Sequence, residues 1–179
     1  MNTSYIRSLD GLRAVAVTLV IIFHFSKIEF IDYTFEIGWI GVQLFFVLSG
    51  FLITRILLNE KHKTFSDYSK KFYWRRMLRI FPVYYAYIIA ITAGYIVFKA
   101  PPELPDIAPY LYTYTYNYSV LTSDWTVNRL FLHLWSLSVE EQFYLVWPFI
   151  VFFLSARSLK IVTIAIILAI PLLRYVLGV

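Results

Sequence analysis

The stretch Leu134-Trp-Ser-Leu-Ser-Val-Glu140-Glu141-Gln-Phe-Tyr-Leu-Val-Trp-Pro148 sets two adjacent carboxylates inside an apolar run that continues through residues 149–154. Without Glu140 and Glu141 it reads as a plain membrane span. A charged side chain near a bilayer centre costs roughly 2.5–3.5 kcal/mol on insertion scales, so such groups face a cavity or a partner. Ser138 and Glu141 also fit the Ser-x-x-Glu pattern of a capping box, which makes Glu141 a candidate cap for a helix starting inside the protein. Glu140 has no such alternative role.

The rest of the chain shares that environment. Of its 179 residues, 60% are hydrophobic and 20% aromatic, and the mean hydropathy is +0.67. A soluble domain with a polar surface is not that apolar. No window shows the alternating ten-residue pattern of an outer-membrane barrel, which leaves an all-α, polytopic membrane helix bundle. The chain has no cysteine, which excludes disulfides, thiolate metal ligands and a cysteine nucleophile. The net charge of +5 reads as membrane topology rather than nucleic-acid binding.

Five apolar runs supply the spans, at about 10–30, 38–58, 80–98, 134–154 and 161–179. No small-residue cleavage site follows the first, so it reads as an uncleaved span. The polar connector 59–79 holds Lys61, Lys63, Lys70, Lys71, Arg75, Arg76 and Arg79 against Glu60 and Asp67. The positive-inside rule therefore puts it, the Arg157–Lys160 turn and the N-terminus on the cytoplasmic side, with the acidic loops 27–37 and 99–133 outside. Pro82 then falls in the first turn of the third span, where proline is tolerated. Residues 109–120 alternate Tyr with Thr, Asn and Leu and read as an interfacial or re-entrant segment. If they crossed, the Arg157 turn would lie outside, against the rule. The last run has no closing loop, so residues 1–179 are expected to be the N-terminal part of one longer membrane domain.

Arg13 and His24 are eleven residues apart, about three turns plus 20°, so they share a helix face some ~16 Å apart along the axis. Asp10 lies near the same face. Topology brings His24, His133 and the two glutamates to a similar depth. A neutral imidazole beside a carboxylate can serve as general base, the carboxylate holding its tautomer. Trp135, Trp147, Tyr144 and the tyrosines of 110–118 read as an interfacial belt. Arg75 and Arg79 are i, i+4 on one helix face, with Arg76 beside them. They serve either topology and lipid headgroups or a phosphate clamp. His24, His133 and the acids lack close ligand spacing, so no metal is expected.

Four ordered motifs resemble acyltransferase family 3, the membrane O-acyltransferases of bacterial surface polysaccharides. They are Tyr5-Ile-Arg-Ser-Leu-Asp10-Gly-Leu-Arg13-Ala with His24; Gly41-Val-Gln-Leu-Phe-Phe-Val-Leu-Ser49-Gly; Arg75-Arg-Met-Leu-Arg79-Ile-Phe-Pro82; and His133-Leu-Trp-Ser-Leu-Ser-Val-Glu140-Glu-Gln-Phe-Tyr144. The resemblance implies a bacterial cytoplasmic-membrane enzyme with an acyl-CoA donor, acetyl-CoA above all, and as acceptor a hydroxyl on a glycan or lipid-linked sugar. It matches the family's Arg-x10-His motif to Arg13 and His24 and its arginine motif to Arg75–Arg79, and it raises Glu140 above Glu141. It also implies about ten spans, so this part alone is expected to be inactive. His24, Glu140 and Arg13 are the catalytic candidates, and Arg75, Arg76 and Arg79 the CoA ligands. Asp10, Ser49, His133 and Glu141 are secondary, Ser49 as an acyl carrier. Membrane lipids are expected partners and nucleic acid is not, and the oligomeric state stays open. The rival reading is a proton-coupled transporter using His24 and Glu140 as a relay. A relay tolerates Lys in place of Arg75, Arg76 and Arg79, whereas a phosphate clamp does not.

Overall fold

A computed structural model describes residues 7–25, 32–119 and 130–177. Among the described residues there is no strand. Seven helices follow in order: α1 Arg7–Phe25, α2 Asp32–Glu60, α3 Phe65–Phe98, α4 Leu104–Tyr112, α5 Tyr116–Ser119, α6 Leu132–Phe153 and α7 Ala156–Leu177. Ile40–Glu60, Phe65–Phe98 and Ala156–Leu173 are long and apolar enough to cross a membrane. The 22 residues of α6 give about 33 Å, also enough for a ~30 Å hydrocarbon core, with the polar knot at Glu140–Gln142 inside.

The basic connector is not a loop. Thr64 caps α3: its hydroxyl accepts from the Asp67 amide at 3.3 Å and donates to the Asp67 carboxylate at 2.8 Å. The helix therefore begins at Phe65, and Phe65, Tyr68 and Phe72 at helical spacing pack on the C-terminal half of α6. The far end stops at Lys99, whose left-handed backbone (φ 54°) returns its N–H to the Tyr95 carbonyl. Pro82 consequently lies in the interior of α3, not in a first turn as the sequence suggests. It removes one backbone hydrogen bond there.

Helices α3 and α6 run antiparallel. Tyr68 donates to the Pro148 carbonyl at 3.1 Å and Tyr73 to the Leu145 carbonyl at 2.8 Å, while Tyr87 stacks edge-on to His133 at the other end. Pro148 interrupts the α6 hydrogen-bond ladder, and those hydroxyls supply donors beside the interruption, as a membrane interior requires. Ser138, fully buried, donates to the Leu134 carbonyl at 2.8 Å. It sits in mid-helix, so the capping-box reading of Ser138 and Glu141 is overturned.

The segment expected at 109–120 forms two short helices, α4 and α5, and their lengths are far below a span. Tyr84 donates to the Leu111 carbonyl at 2.6 Å and Tyr85 to the Tyr112 carbonyl at 3.2 Å. Tyr114 stacks on Tyr84 with ring centroids 3.9 Å apart. Tyr114 and Tyr116 are buried, so they belong to a core and not to an interfacial belt. Gln142 locks this segment to α6. It exchanges two amide hydrogen bonds with Asn117 and donates to the Tyr114 carbonyl at 3.0 Å.

Helix α1 packs along α2, and the closest approach is at Gly41. A Cβ there would stand 3.0 Å from the Ala16 carbonyl oxygen and 3.0 Å from the Leu19 Cβ. Small residues allow this kind of approach between membrane helices. Gly41→Leu is expected to cost about 1–3 kcal/mol of stability through overpacking. Gly50→Leu is the control, since a Cβ there meets nothing within 4 Å. Equal unfolding midpoints for the two variants, followed by circular dichroism, would refute the α1–α2 packing.

Candidate active site

Helices α1, α2, α3 and α6 enclose a cavity of about 460 Å³. Its polar lining is Arg13 from α1, Ser49 and Glu60 from α2, Lys71, Arg75, Arg76 and Arg79 from α3, and Glu140 and Tyr144 from α6. Five cations thus face two carboxylates. Phe45, Ile53, Leu57, Phe72 and Leu137 supply apolar wall.

At the centre, the Arg76 guanidinium lies over the Tyr144 ring, 3.2 Å from its centroid, and 5.2 Å from that of Phe72. The Tyr144 hydroxyl donates to Glu140 Oε1 one turn back on α6. The electron-rich ring face attracts the cation, and the carboxylate receives a charge-assisted hydrogen bond from the same ring's hydroxyl. Ser49, 6% exposed, faces Glu140. At the mouth Glu60 takes Lys71 at 2.9 Å and also pairs with Lys63. Arg75 and Arg79 are exposed. Asp10 stands 3.8 Å from Arg13 at the rim, both partly exposed, so this pair contributes little stability.

Of the residues singled out from the sequence, Arg13, Ser49, Arg75, Arg76, Arg79 and Glu140 line one cavity. Asp10 reaches it only through Arg13. His133 packs on Tyr87 with ring centroids 5.3 Å apart, seven residues or about 10 Å along α6 from Glu140. Glu141 is not part of the cavity lining, and its buried Oε1 has no hydrogen-bond partner. The Tyr114 hydroxyl, equally buried, also has none. Burial pushes the Tyr114 hydroxyl above the usual tyrosine range, with the Tyr84 and Glu141 charges adding to it. His24 lies on α1, and its side chain falls outside the described residues.

The common depth expected for His24 and the glutamates falls on a side chain outside the described residues. It is Arg13 that shares a cavity with Glu140, and His24 is ~16 Å further along α1. Glu140 is the partner of Tyr144 and Arg76 among the described side chains. Tyr144, Lys71 and Glu60 were not singled out from the sequence. Tyr144 stands i+4 from Glu140, and Lys71, Arg75 and Arg79 form an i, i+4, i+8 row, so helical spacing carried the signal for two of the three. Among the described residues, no group of three metal-ligating side chains comes together.

The acyltransferase domain profile matches residues 6–178. The peptidoglycan O-acetyltransferase OatA of Listeria monocytogenes is 39% identical over 166 residues, which cover 86% of this chain and 25% of that protein. The O-acetyltransferase OatA of Staphylococcus aureus is 36% identical over 163 residues, covering 86% of this chain and 26% of that protein. The chain thus spans about a quarter of the length of the curated relatives it matches. None of the solved structures matches it. With the four motifs in order along an all-helical membrane chain, and the profile running over nearly its whole length, the chain belongs to acyltransferase family 3.

Proposed function

We propose that this chain carries the donor-binding part of a membrane O-acyltransferase, which moves an acetyl group from acetyl-CoA to a hydroxyl of a cell-wall glycan or lipid-linked sugar. The observation that carries the reading is the cavity in which five cations from α1 and α3 surround Glu140 and Tyr144. A polyanionic donor needs such a charge, and forked guanidiniums on i, i+4 positions suit phosphate oxygens.

Arg75, Arg79 and Lys71 hold the donor's phosphates. Arg76 is occupied by the Tyr144 ring and acts as a positioning residue for Tyr144 and Glu140. Arg13 orients the donor from the rim. The thioester arm follows the α1 face from Arg13 towards His24, ~16 Å on. There the acceptor hydroxyl oxygen attacks the thioester carbonyl carbon, and its proton passes to the His24 imidazole. The carbon–sulfur bond breaks, and the proton moves on to the CoA thiolate. An ester and free CoA thiol result. Transfer is direct, and Ser49 carries no acyl group. The basic end of the bundle faces the cytoplasm, in keeping with the distribution of Lys and Arg.

Calorimetric titration of the purified protein with acetyl-CoA tests this, with desulfo-CoA and NADH as controls. The double variant Arg75→Ala/Arg79→Ala is expected to weaken binding roughly 100-fold, the worth of two charge-assisted contacts. Binding that survives the double variant unchanged would remove the clamp.

A further inference from the structure

A second hollow, of about 960 Å³, lies between α2, α6 and α7. Its walls run from Phe46 to Leu58 on α2, from Val139 to Ile150 on α6 and from Ala156 to Ile167 on α7. The twelve residue steps from Phe46 to Leu58 cover ~18 Å, close to one leaflet of a ~30 Å hydrocarbon core. Between the inner end, where Ser49, Glu140 and Tyr144 stand, and Lys160 at the other end, the polar atoms in the wall are satisfied by the protein itself. Thr54 donates to the Gly50 carbonyl at 2.6 Å, Trp147 donates to Thr54 at 2.7 Å, and Thr163 donates to the Leu159 carbonyl at 2.9 Å. That middle stretch therefore has nothing to offer a polar ligand and suits hydrocarbon.

One end of the hollow is charged. Lys160 lines it, and Arg157 lies one turn nearer the α6–α7 turn. Both are exposed, and among the described residues neither stands in an ion pair. Lys61 donates to the Leu154 carbonyl, which puts the α2–α3 and α6–α7 turns at one membrane surface. The cations thus stand at headgroup level and the apolar groove runs inward from them.

We propose that this groove binds an anionic phospholipid, its phosphate on Arg157 and Lys160 and its acyl chains between α2, α6 and α7. The inner wall of the groove includes Ser49, Glu140 and Tyr144, which also line the basic cavity. The lipid tails then form the outer wall of that cavity and keep water from its carboxylate. This holds whichever donor the cavity takes.

The test is lipid retention by the purified protein, read by native mass spectrometry after reconstitution with phosphatidylglycerol or phosphatidylcholine, and labelling by a phosphatidylglycerol with a diazirine in its acyl chain. Phosphatidylglycerol is expected to be retained in preference, with its label on α2, α6 and α7. Arg157→Glu/Lys160→Glu should reduce its retention roughly tenfold or more, since each basic residue at a membrane surface attracts anionic lipid. Gly50→Leu fills open space in the groove and should displace the label while the helical circular-dichroism signal stays unchanged. Equal retention of the two lipids, unaffected by charge reversal, would mean boundary lipid only and overturn the site. Label falling elsewhere, or a crosslink from the groove to another segment of the protein, would overturn it as well. Should Gly50→Leu fail to fold, charge reversal and the labelling pattern still decide.

Discussion

Neutralising two adjacent glutamates should change stability by unequal amounts. Glu140→Gln should lower the unfolding midpoint of the purified protein, while Glu141→Gln should leave it nearly unchanged. The Glu140 carboxylate accepts the Tyr144 hydroxyl, and Tyr144 in turn carries the Arg76 guanidinium on its ring face. Removing that charge strips the Tyr144 hydroxyl of its acceptor and leaves the partly buried Arg76 with Glu141 alone. The expected cost is roughly 1–3 kcal/mol, the range for a buried group stripped of its partner. Glu141 keeps Oε1 buried with no hydrogen-bond partner, so the attraction of Arg76 only partly offsets the desolvation of its charge, and losing that charge costs little. Arg76 feels both acids and retains Glu140 when Glu141 is neutralised. Arg76→Met should rescue the stability of Glu140→Gln in a double-mutant cycle, because the pair is then replaced by apolar contact. Similar losses for Glu140→Gln and Glu141→Gln, or no rescue, would show that the Arg76–Tyr144–Glu140 arrangement is not what holds α3 to α6.

Periodicity along single helices was readable, and offsets between helices were not. Among the described residues each apolar run falls on a helix, though the helix of the third starts fifteen residues earlier, and the i, i+4 relation of Arg75 and Arg79 needs only the helical repeat. Depth is different. Placing Glu140 beside His24 assumes that α1 and α6 enter the membrane at their first apolar residues. A slide of seven residues moves a helix by about 10 Å without changing its own pattern. Packing decides that offset: Gly41 against Ala16 and Leu19 fixes α1 on α2, and Trp147 on Thr54 fixes α6 on α2. The start of α3 was hidden for a related reason. The stretch 65–79 reads as a polar connector by composition, yet Thr64 and Asp67 cap a helix there, and its aromatic row finds α6. Tyr144 looked like an interfacial ring because hydropathy does not register a hydroxyl one turn from a carboxylate.

His24→Ala should abolish acetyl transfer while leaving acetyl-CoA binding intact. The two effects separate because the basic cavity reaches α1 at Arg13 and His24 is eleven residues on, ~16 Å along the axis. A general base contributes typically 10²–10⁴-fold, so turnover should fall by roughly that factor. The donor's dissociation constant should stay within about twofold, since none of its phosphate contacts changes. Arg79→Ala should do the reverse at saturating donor: weaker binding with turnover largely kept. Both variants are to be measured in the whole membrane protein, with insertion confirmed by the helical circular-dichroism signal. If His24→Ala weakens donor binding as much as Arg79→Ala does, then α1 presents His24 to the donor's phosphates, and the division between a binding end and a reacting end is wrong. If His24→Ala keeps full turnover, the proton leaves the acceptor hydroxyl by another group. Glu141 would then be the next residue to test, as the second carboxylate within α6 and the one whose buried oxygen is without a partner.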